Sequence, residues 1–98
     1  FIIDVREEAE FKAGHLINAR NIPMSEFRNR LDEIPKDIPV YLHCRSSQRS
    51  YNVIMALQIL GYKNLYNIDG SFLGISFYEY FRDAITGRDK IVTEYNFN

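Results

Sequence analysis

The stretch that decides the fold runs Ile38-Pro39-Val40-Tyr41-Leu42-His43-Cys44-Arg45-Ser46-Ser47-Gln48-Arg49-Ser50-Tyr51-Asn52-Val53-Ile54-Met55-Ala56-Leu57-Gln58-Ile59-Leu60-Gly61. Its opening, around Val40, Tyr41 and Leu42, is a short apolar run, the pattern of a strand buried on both faces of a parallel sheet. Its end carries helical spacing. Val53, Ala56, Leu57 and Leu60 share one face, and Gly61 stands where a helix-ending glycine belongs. Between the two lies a polar loop, 45–50, of two arginines, three serines and one glutamine. Strand, loop and helix in that order are the repeating step of an α/β domain, and ligands in such sheets sit beyond the carboxyl ends of strands.

The same alternation continues on both sides. Phe1-Ile2-Ile3-Asp4-Val5 reads as a second doubly buried strand. Arg6 to Ala13 carries Glu7, Glu8 and Glu10 at its start, which suits the positive end of a short helix, and Gly14 can end it. Ala19 to Ile22 is a short strand stopped by Pro23. Ser25 then reads as the N-cap of a helix with Phe27, Leu31 and Ile34 on one face, closed by Pro35. After Gly61, Leu65 to Ile68 reads as a strand. The aromatic segment with Phe72, Phe77, Tyr78, Tyr80 and Phe81 reads as a helix that packs its rings into a core. Ile91, Thr93, Tyr95 and Phe97 nearly alternate, and that apolar tail is expected to pack against a surface rather than remain an open edge.

Composition bounds the rest. A chain of 98 residues has room for one domain, and about two-thirds of its surface can be buried, enough for a core without staples. It is expected to be a single domain, 1–98, with a core over 1–85 and a C-terminal extension over 86–98. Twelve basic residues against thirteen acidic ones leave a net charge of −1, which gives no electrostatic case for a nucleic-acid partner. No apolar run reaches the length of a membrane span, so no membrane partner is expected. The chain opens without a basic lead, so no signal peptide is expected and a cytoplasmic location is. Starting at Phe1 rather than Met, it reads as a fragment or a trimmed chain.

One cysteine excludes an internal disulfide, and two scattered histidines beside it do not match the spacing of a metal site. Cys44 itself is the chemical centre. A loop of small and polar residues between a strand and a helix can aim its backbone N–H groups at a common point and form an anion nest. The helix N-terminus adds partial positive charge, and Arg45 and Arg49 add formal charge. A thiol there ionises more easily and becomes a nucleophile toward anionic substrates. Charge alone leaves open whether the electrophile is sulfur or phosphorus. His43 points to the other face of the strand from Cys44 and reads as a packed strand-end residue. Arg45 reads as the direct substrate contact, because a guanidinium suits an oxyanion. Asp4 and Arg6, alternate residues on one side of a strand, read as an ion pair, and His15 as a loop-fixing hydrogen bonder.

The segment His43-Cys44-Arg45-Ser46-Ser47-Gln48-Arg49-Ser50 resembles the active-site loop of the rhodanese-like domains, Cys-Arg-x-Gly-x-Arg. Ile3-Asp4-Val5-Arg6 resembles that family's Asp-x-Arg strand end. Gly14-His15-Leu16, Ala19 and Asn21-Ile22-Pro23 resemble its Gly-His-Ile…Ala…Asn-Ile-Pro segment, and Leu60-Gly61-Tyr62 with Asn64-Leu65-Tyr66 its Leu-Gly-Tyr…Val-Tyr segment. The resemblance covers roughly residues 2–72 and implies a parallel five-stranded sheet with helices on both faces. It implies a sulfurtransferase or persulfide relay in which Cys44 carries sulfane sulfur. The loop amides of Arg45, Ser46, Ser47, Gln48 and Arg49 would cradle the persulfide and a small sulfur-containing anionic donor. A thiol would be the acceptor, Arg49 would pin the loop, and Asp4, Arg6 and His15 would be structural supports. Related dual-specificity phosphatases use a loop one residue longer before the arginine, which makes a Cys-dependent phosphatase the weaker alternative. A non-catalytic docking or regulatory module is the other.

The sequence departs from the family pattern in several places. Ser47 stands where the loop glycine is usual, so either the backbone avoids positive φ there or it carries strain. Ile17-Asn18 replaces a common Pro-Gly, Ser71 replaces the second of two glycines, and there is no Trp. The family's first strand and helix precede the Asp-x-Arg strand and are expected to lie outside this chain. The loop and tail together resemble the rhodanese-like domain of bacterial flavoproteins of the coenzyme A–disulfide reductase type. That implies no cofactor in this domain, with FAD, NAD(P)H and coenzyme A belonging to a parent flavoprotein domain in the same chain.

Overall fold

The computed structural model describes residues 1–86 and 91–94. Its elements are β1 (Ile2–Asp4), α1 (Glu8–Lys12), β2 (Arg20–Asn21), β3 (Val40–His43), α2 (Gln48–Ile59), β4 (Leu65–Asn67) and α3 (Ser71–Thr86). Two 3-10 segments, Met24–Asn29 and Leu31–Glu33, fill the connection from β2 to β3. The four strands form one parallel sheet in the order β2-β1-β3-β4. Among the described residues that is one strand fewer than the family pattern implies. The middle strands are flanked on both faces, but the cover is incomplete: in β3 Val40, Leu42 and His43 are buried, while Tyr41, expected inside, is 43 % exposed and stacks on Tyr66.

Two cores lie on opposite faces of the sheet. On one, Ile3, Val5, Val40 and Leu42 pack against Val53, Ile54 and Leu57 of α2, with Phe27, Ile34, Cys44 and Tyr62 around them. On the other, Phe72 of α3, Leu16 and Val92 form a smaller cluster with Ile2, Ala19 and Ile75. Helices therefore cover both faces, as the α/β reading requires.

Several local expectations are corrected. Ser25 does not cap an α-helix. Pro23, at φ −56°, takes the N-cap position, the turns that follow are 3-10, and the Ser25 hydroxyl donates instead to Glu7 Oε2 at 3.1 Å. Arg30, at φ −128°, breaks the segment in two, yet the spacing of Phe27 and Ile34 still brings both into the core. In α2 the inward residues are Ser50, Val53, Ile54 and Leu57, while Ala56 and Leu60 are exposed. The Cys44 loop fixes where this helix begins and hence how it is rotated. Among the described side chains of the aromatic segment, Phe72 is deeply buried, while Phe77, Tyr78 and Tyr80 are about half exposed, because a single sheet face lies under α3; the Phe81 side chain lies outside the described ones.

The tail packs on the domain's own surface, through a different residue from the one expected. Val92 is buried against Leu16, with which it forms an antiparallel bridge, and Ile91 is exposed. Ile17 N–H donates to the Ile91 carbonyl at 2.8 Å, Thr93 N–H to the His15 carbonyl at 2.7 Å, and His15 N–H to Thr93 Oγ1 at 2.9 Å. Gly14 is required by this approach: a Cβ there would lie 2.5 Å from the Glu94 carbonyl oxygen. Tyr95 and Phe97 lie outside the described residues.

Candidate functional site

β3 ends at His43, and Cys44 opens the loop that turns into α2. Cys44 is 1 % exposed, at the floor of a cup made by its own loop. Burial pushes its thiol pKa up, but the backbone N–H and hydroxyl of Ser50 and the backbone N–H groups of Ser46 and Arg49 favour the thiolate. The outcome is a pKa below the usual thiol value. The Ser50 hydroxyl lies 3.6 Å from Sγ. The expected anion nest is thus present, with the thiol sulfur at its focus.

The loop is held from several sides. Arg49 points its guanidinium at Glu10 of α1 in a two-pronged pair, 2.6 and 2.9 Å, and this pair, together with the Cys44 sulfur, keeps Arg49 firmly protonated. Glu10 does double duty, since its carboxylate also accepts the Glu7 N–H that begins α1, at 3.2 Å. The arginine expected to pin the loop therefore does so through a carboxylate on a different helix. Its charge holds Glu10 below the usual carboxylate range, against a smaller opposing effect of burial.

Ser47 adopts φ +79°, the left-handed conformation of the glycine it replaces, and Ser71 adopts φ +49°. For a residue with a Cβ that region costs roughly 1–2 kcal/mol. The two hydroxyls lie 3.0 Å apart and both reach the Ile68 carbonyl, at 3.1 and 3.2 Å, while Ser71 Oγ accepts the Cys44 N–H at 3.2 Å. The strain is thus matched by hydrogen bonds that tie the cysteine loop to the turn before α3. Phe72 N–H to the Cys44 carbonyl (2.9 Å) and Leu73 N–H to the Arg45 carbonyl (2.9 Å) complete the tie. Ser46 and Gln48 sit exposed at the rim, with the Gln48 amide 3.3 Å from Asn52 Oδ1, and Arg45 is half-buried.

Asp4 and Arg6 lie on the sheet face opposite Cys44. Both are fully buried, and Arg6 bonds the Asp4 carboxylate with Nε and Nη2 at 2.8–3.1 Å. Arg6 also donates to the Gly14 carbonyl at 2.7 Å and lies 4.2 Å above the Phe72 ring. The pair supports the loop at one remove, through Phe72. His15 fixes its own turn: Nδ1 is 2.8 Å from the Phe11 carbonyl and the ring stacks on Phe11 at 3.7 Å. His43 is fully buried, with Nδ1 3.2 Å from the Cys44 carbonyl and Nε2 3.8 Å from Asp4 Oδ2. Burial lowers its pKa more than Asp4 raises it, so the ring is neutral.

Four residues of the site were not singled out by the sequence reading as site members: Glu10, Ser50, Asn67 and Ser71. Asn67 ends β4 beneath the loop; its Oδ1 accepts the Ser50 hydroxyl at 2.7 Å, and its Nδ2 is 3.4 Å from the Ser47 carbonyl. The available signal was a polar residue inside the otherwise apolar run Leu65-Tyr66-Asn67-Ile68.

A helix-mouth thiol on a parallel α/β sheet defines a cysteine-loop domain. Residues 1–76 match the rhodanese-like domain family, and the chain belongs to it. The chain is 46 % identical over 71 residues to the uncharacterized protein YqhL of Bacillus subtilis, covering 72 % of this chain and 56 % of that one. It is 36 % identical over 72 residues to a sulfurtransferase of Allochromatium vinosum, covering 74 % of this chain and 67 % of that one. The crystal structure of reduced Bacillus anthracis CoADR-RHD superposes with a TM-score of 0.67 at 42 % identity, over 72 % of this chain and 13 % of that one. The chain thus spans little more than half of YqhL and a small part of CoADR-RHD. At the level of the family, the match and the relative named a sulfurtransferase support sulfur transfer.

Proposed function

We propose that Cys44 is the persulfide carrier of a sulfurtransferase. The observation that carries this reading is the convergence of the Ser46, Arg49 and Ser50 N–H groups and the Ser50 hydroxyl on Sγ at the mouth of α2. The thiolate attacks the sulfane sulfur of an anionic donor. A new S–S bond forms, the donor's S–S bond breaks, and its electron pair leaves with the departing group; for thiosulfate that group is sulfite. The anionic outer sulfur then occupies the cup that held the thiolate, so the same N–H groups stabilise both charges. An acceptor thiolate next attacks the outer sulfur and releases the Cys44 thiolate. Arg45 and the loop amides from Ser46 to Arg49, with the side chains of Ser47 and Gln48 at the rim, bind the donor.

The domain's own part in this chemistry needs no cofactor. The likeness to CoADR-RHD supports a second element of the proposal, that the domain serves a flavoprotein carrying FAD, NAD(P)H and coenzyme A chemistry elsewhere in its chain. Intact mass after incubation with thiosulfate or a low-molecular-weight persulfide tests the first element. The chain gains one sulfur atom and returns it to cyanide or a thiol, and Cys44→Ser gains none. Failure of every donor, or an adduct on Cys44→Ser, refutes the reading. A flavin absorbance band in the full-length parent protein tests the second.

A further inference from the structure

Beneath the sulfur, Ser50 poses a counting problem. Its single hydroxyl proton faces three acceptors: Asn67 Oδ1 at 2.7 Å, the Ser47 carbonyl at 3.2 Å and Cys44 Sγ at 3.6 Å. Ser50 is fully buried, so water does not relieve the competition. The amide of Asn67 is oriented by its other end. Nδ2 faces the Ser47 carbonyl, and the flipped amide would set two carbonyl oxygens against each other there. Oδ1 is therefore held toward Ser50, the shortest of its contacts.

We propose that Asn67 is a positioning residue that claims the Ser50 proton while the Cys44 sulfur is uncharged and yields it when the sulfur becomes an anion. Asn67 acts through Ser50. It holds the hydroxyl oxygen beneath the sulfur, and its neutral carbonyl is a weak enough acceptor to lose the proton to a thiolate or a terminal persulfide, since hydrogen bonds to ionised acceptors are roughly twice as strong. A rotation about one bond of Ser50 thus tracks the charge of the carrier through each half of the transfer. This inference rests on the carrier role of Cys44 only for its second half; the proton competition exists with the bare thiol.

The charged groups around the sulfur are Arg49 on α2, held by Glu10 of α1, with Arg45 beside it in the loop. Behind β3 stand His43 and the Asp4–Arg6 pair, and beyond β4 stands Asp69. All of these stay in place in the variants below. In Asn67→Asp, a carboxylate of the same shape holds the Ser50 proton and adds negative charge near Sγ. In Asn67→Leu, the acceptor is gone and the proton is free for the sulfur.

The experiment is the pH profile of Cys44 alkylation by iodoacetamide on the whole chain, with circular dichroism confirming the fold of each variant. The midpoint rises by about one pH unit in Asn67→Asp and falls by about half a unit in Asn67→Leu. In a Ser50→Ala background the Asn67→Leu shift vanishes, and the Asn67→Asp shift shrinks to its purely electrostatic part. A merely structural Asn67 moves both variants in the same direction or neither, and that result overturns the proposal. So do shifts undiminished by Ser50→Ala. If Asn67→Leu does not fold, the comparison of Asn67→Asp with and without Ser50 decides alone. A chain that alkylates as expected but never takes up sulfur refutes the carrier reading and leaves this inference standing.

Discussion

Replacing Ser47 separates two opposed effects that the structure superimposes at one residue. Ser47 holds φ +79°, which costs a residue with a Cβ roughly 1–2 kcal/mol. Its hydroxyl reaches the Ile68 carbonyl at 3.1 Å and Ser71 Oγ at 3.0 Å, worth about 1 kcal/mol net. Ser47→Ala discards the hydrogen bonds and keeps the strain, so it loses about 1 kcal/mol or somewhat more. Ser47→Gly discards the same hydrogen bonds but relieves the strain, less about 0.5–1 kcal/mol for the extra freedom of glycine in the unfolded chain, and ends near neutral. The glycine variant is therefore the more stable of the two by about 1 kcal/mol, which for a domain of this size is about 4–8 °C in Tm. Thermal and urea unfolding followed by circular dichroism measure it. An alanine variant as stable as the glycine variant refutes the strain argument; a glycine variant clearly above wild type refutes the compensating hydroxyls.

The remaining predictions concern the supports. Glu10→Gln weakens the pair with Arg49, whose partners are each about one-third exposed, and costs about 0.5–1 kcal/mol after solvent screening. Because the folded-state pKa of Glu10 lies below its unfolded value, that contribution is full above about pH 4.5 and is lost as pH falls through the folded pKa. Wild type therefore loses more stability than Glu10→Gln between pH 6 and pH 3 in urea titrations. His43 acts in the same direction at higher pH: its folded pKa is lowered, so below about pH 6.5 the unfolded chain binds a proton that the folded chain refuses. Stability then falls with a slope of up to about 1.4 kcal/mol per pH unit, and His43→Phe flattens that slope while costing stability at pH 7 through the bond lost to the Cys44 carbonyl. Gly14→Ala drives a Cβ against the Glu94 carbonyl and releases the tail, so hydrogen exchange at the Ile17 and Thr93 amides speeds up while the Val5 amide in the sheet stays protected.

The sequence by itself determined the α/β class, the parallel strands and the place of Cys44, because each rests on local pattern. Ile2-Ile3 and Val40-Tyr41-Leu42 are unbroken apolar runs of the kind parallel strands carry, although Tyr41 itself is exposed in the fold, and a polar loop between such a strand and a helix can aim backbone donors at one point. It also located Asp4 with Arg6, since alternate residues on a strand share a face and opposite charges there pair. What the tertiary structure alone decided is everything that depends on distance in space between residues remote in sequence. Arg49 finds Glu10, Cys44 N–H finds Ser71, Ser50 finds Asn67, and Leu16 finds Val92. No periodicity encodes these contacts. The same is true of rotation about a helix axis: Val53 and Leu57 are inward in both readings, but Ile54 rather than Ala56 lies beside them, because the cysteine loop and not the apolar pattern sets where α2 begins. Ser47 joins the two levels. Its identity raised the question of strain, and only the fold, by bringing Ser71 and the Ile68 carbonyl within reach of its hydroxyl, supplied the interactions that let a serine occupy a glycine's conformation.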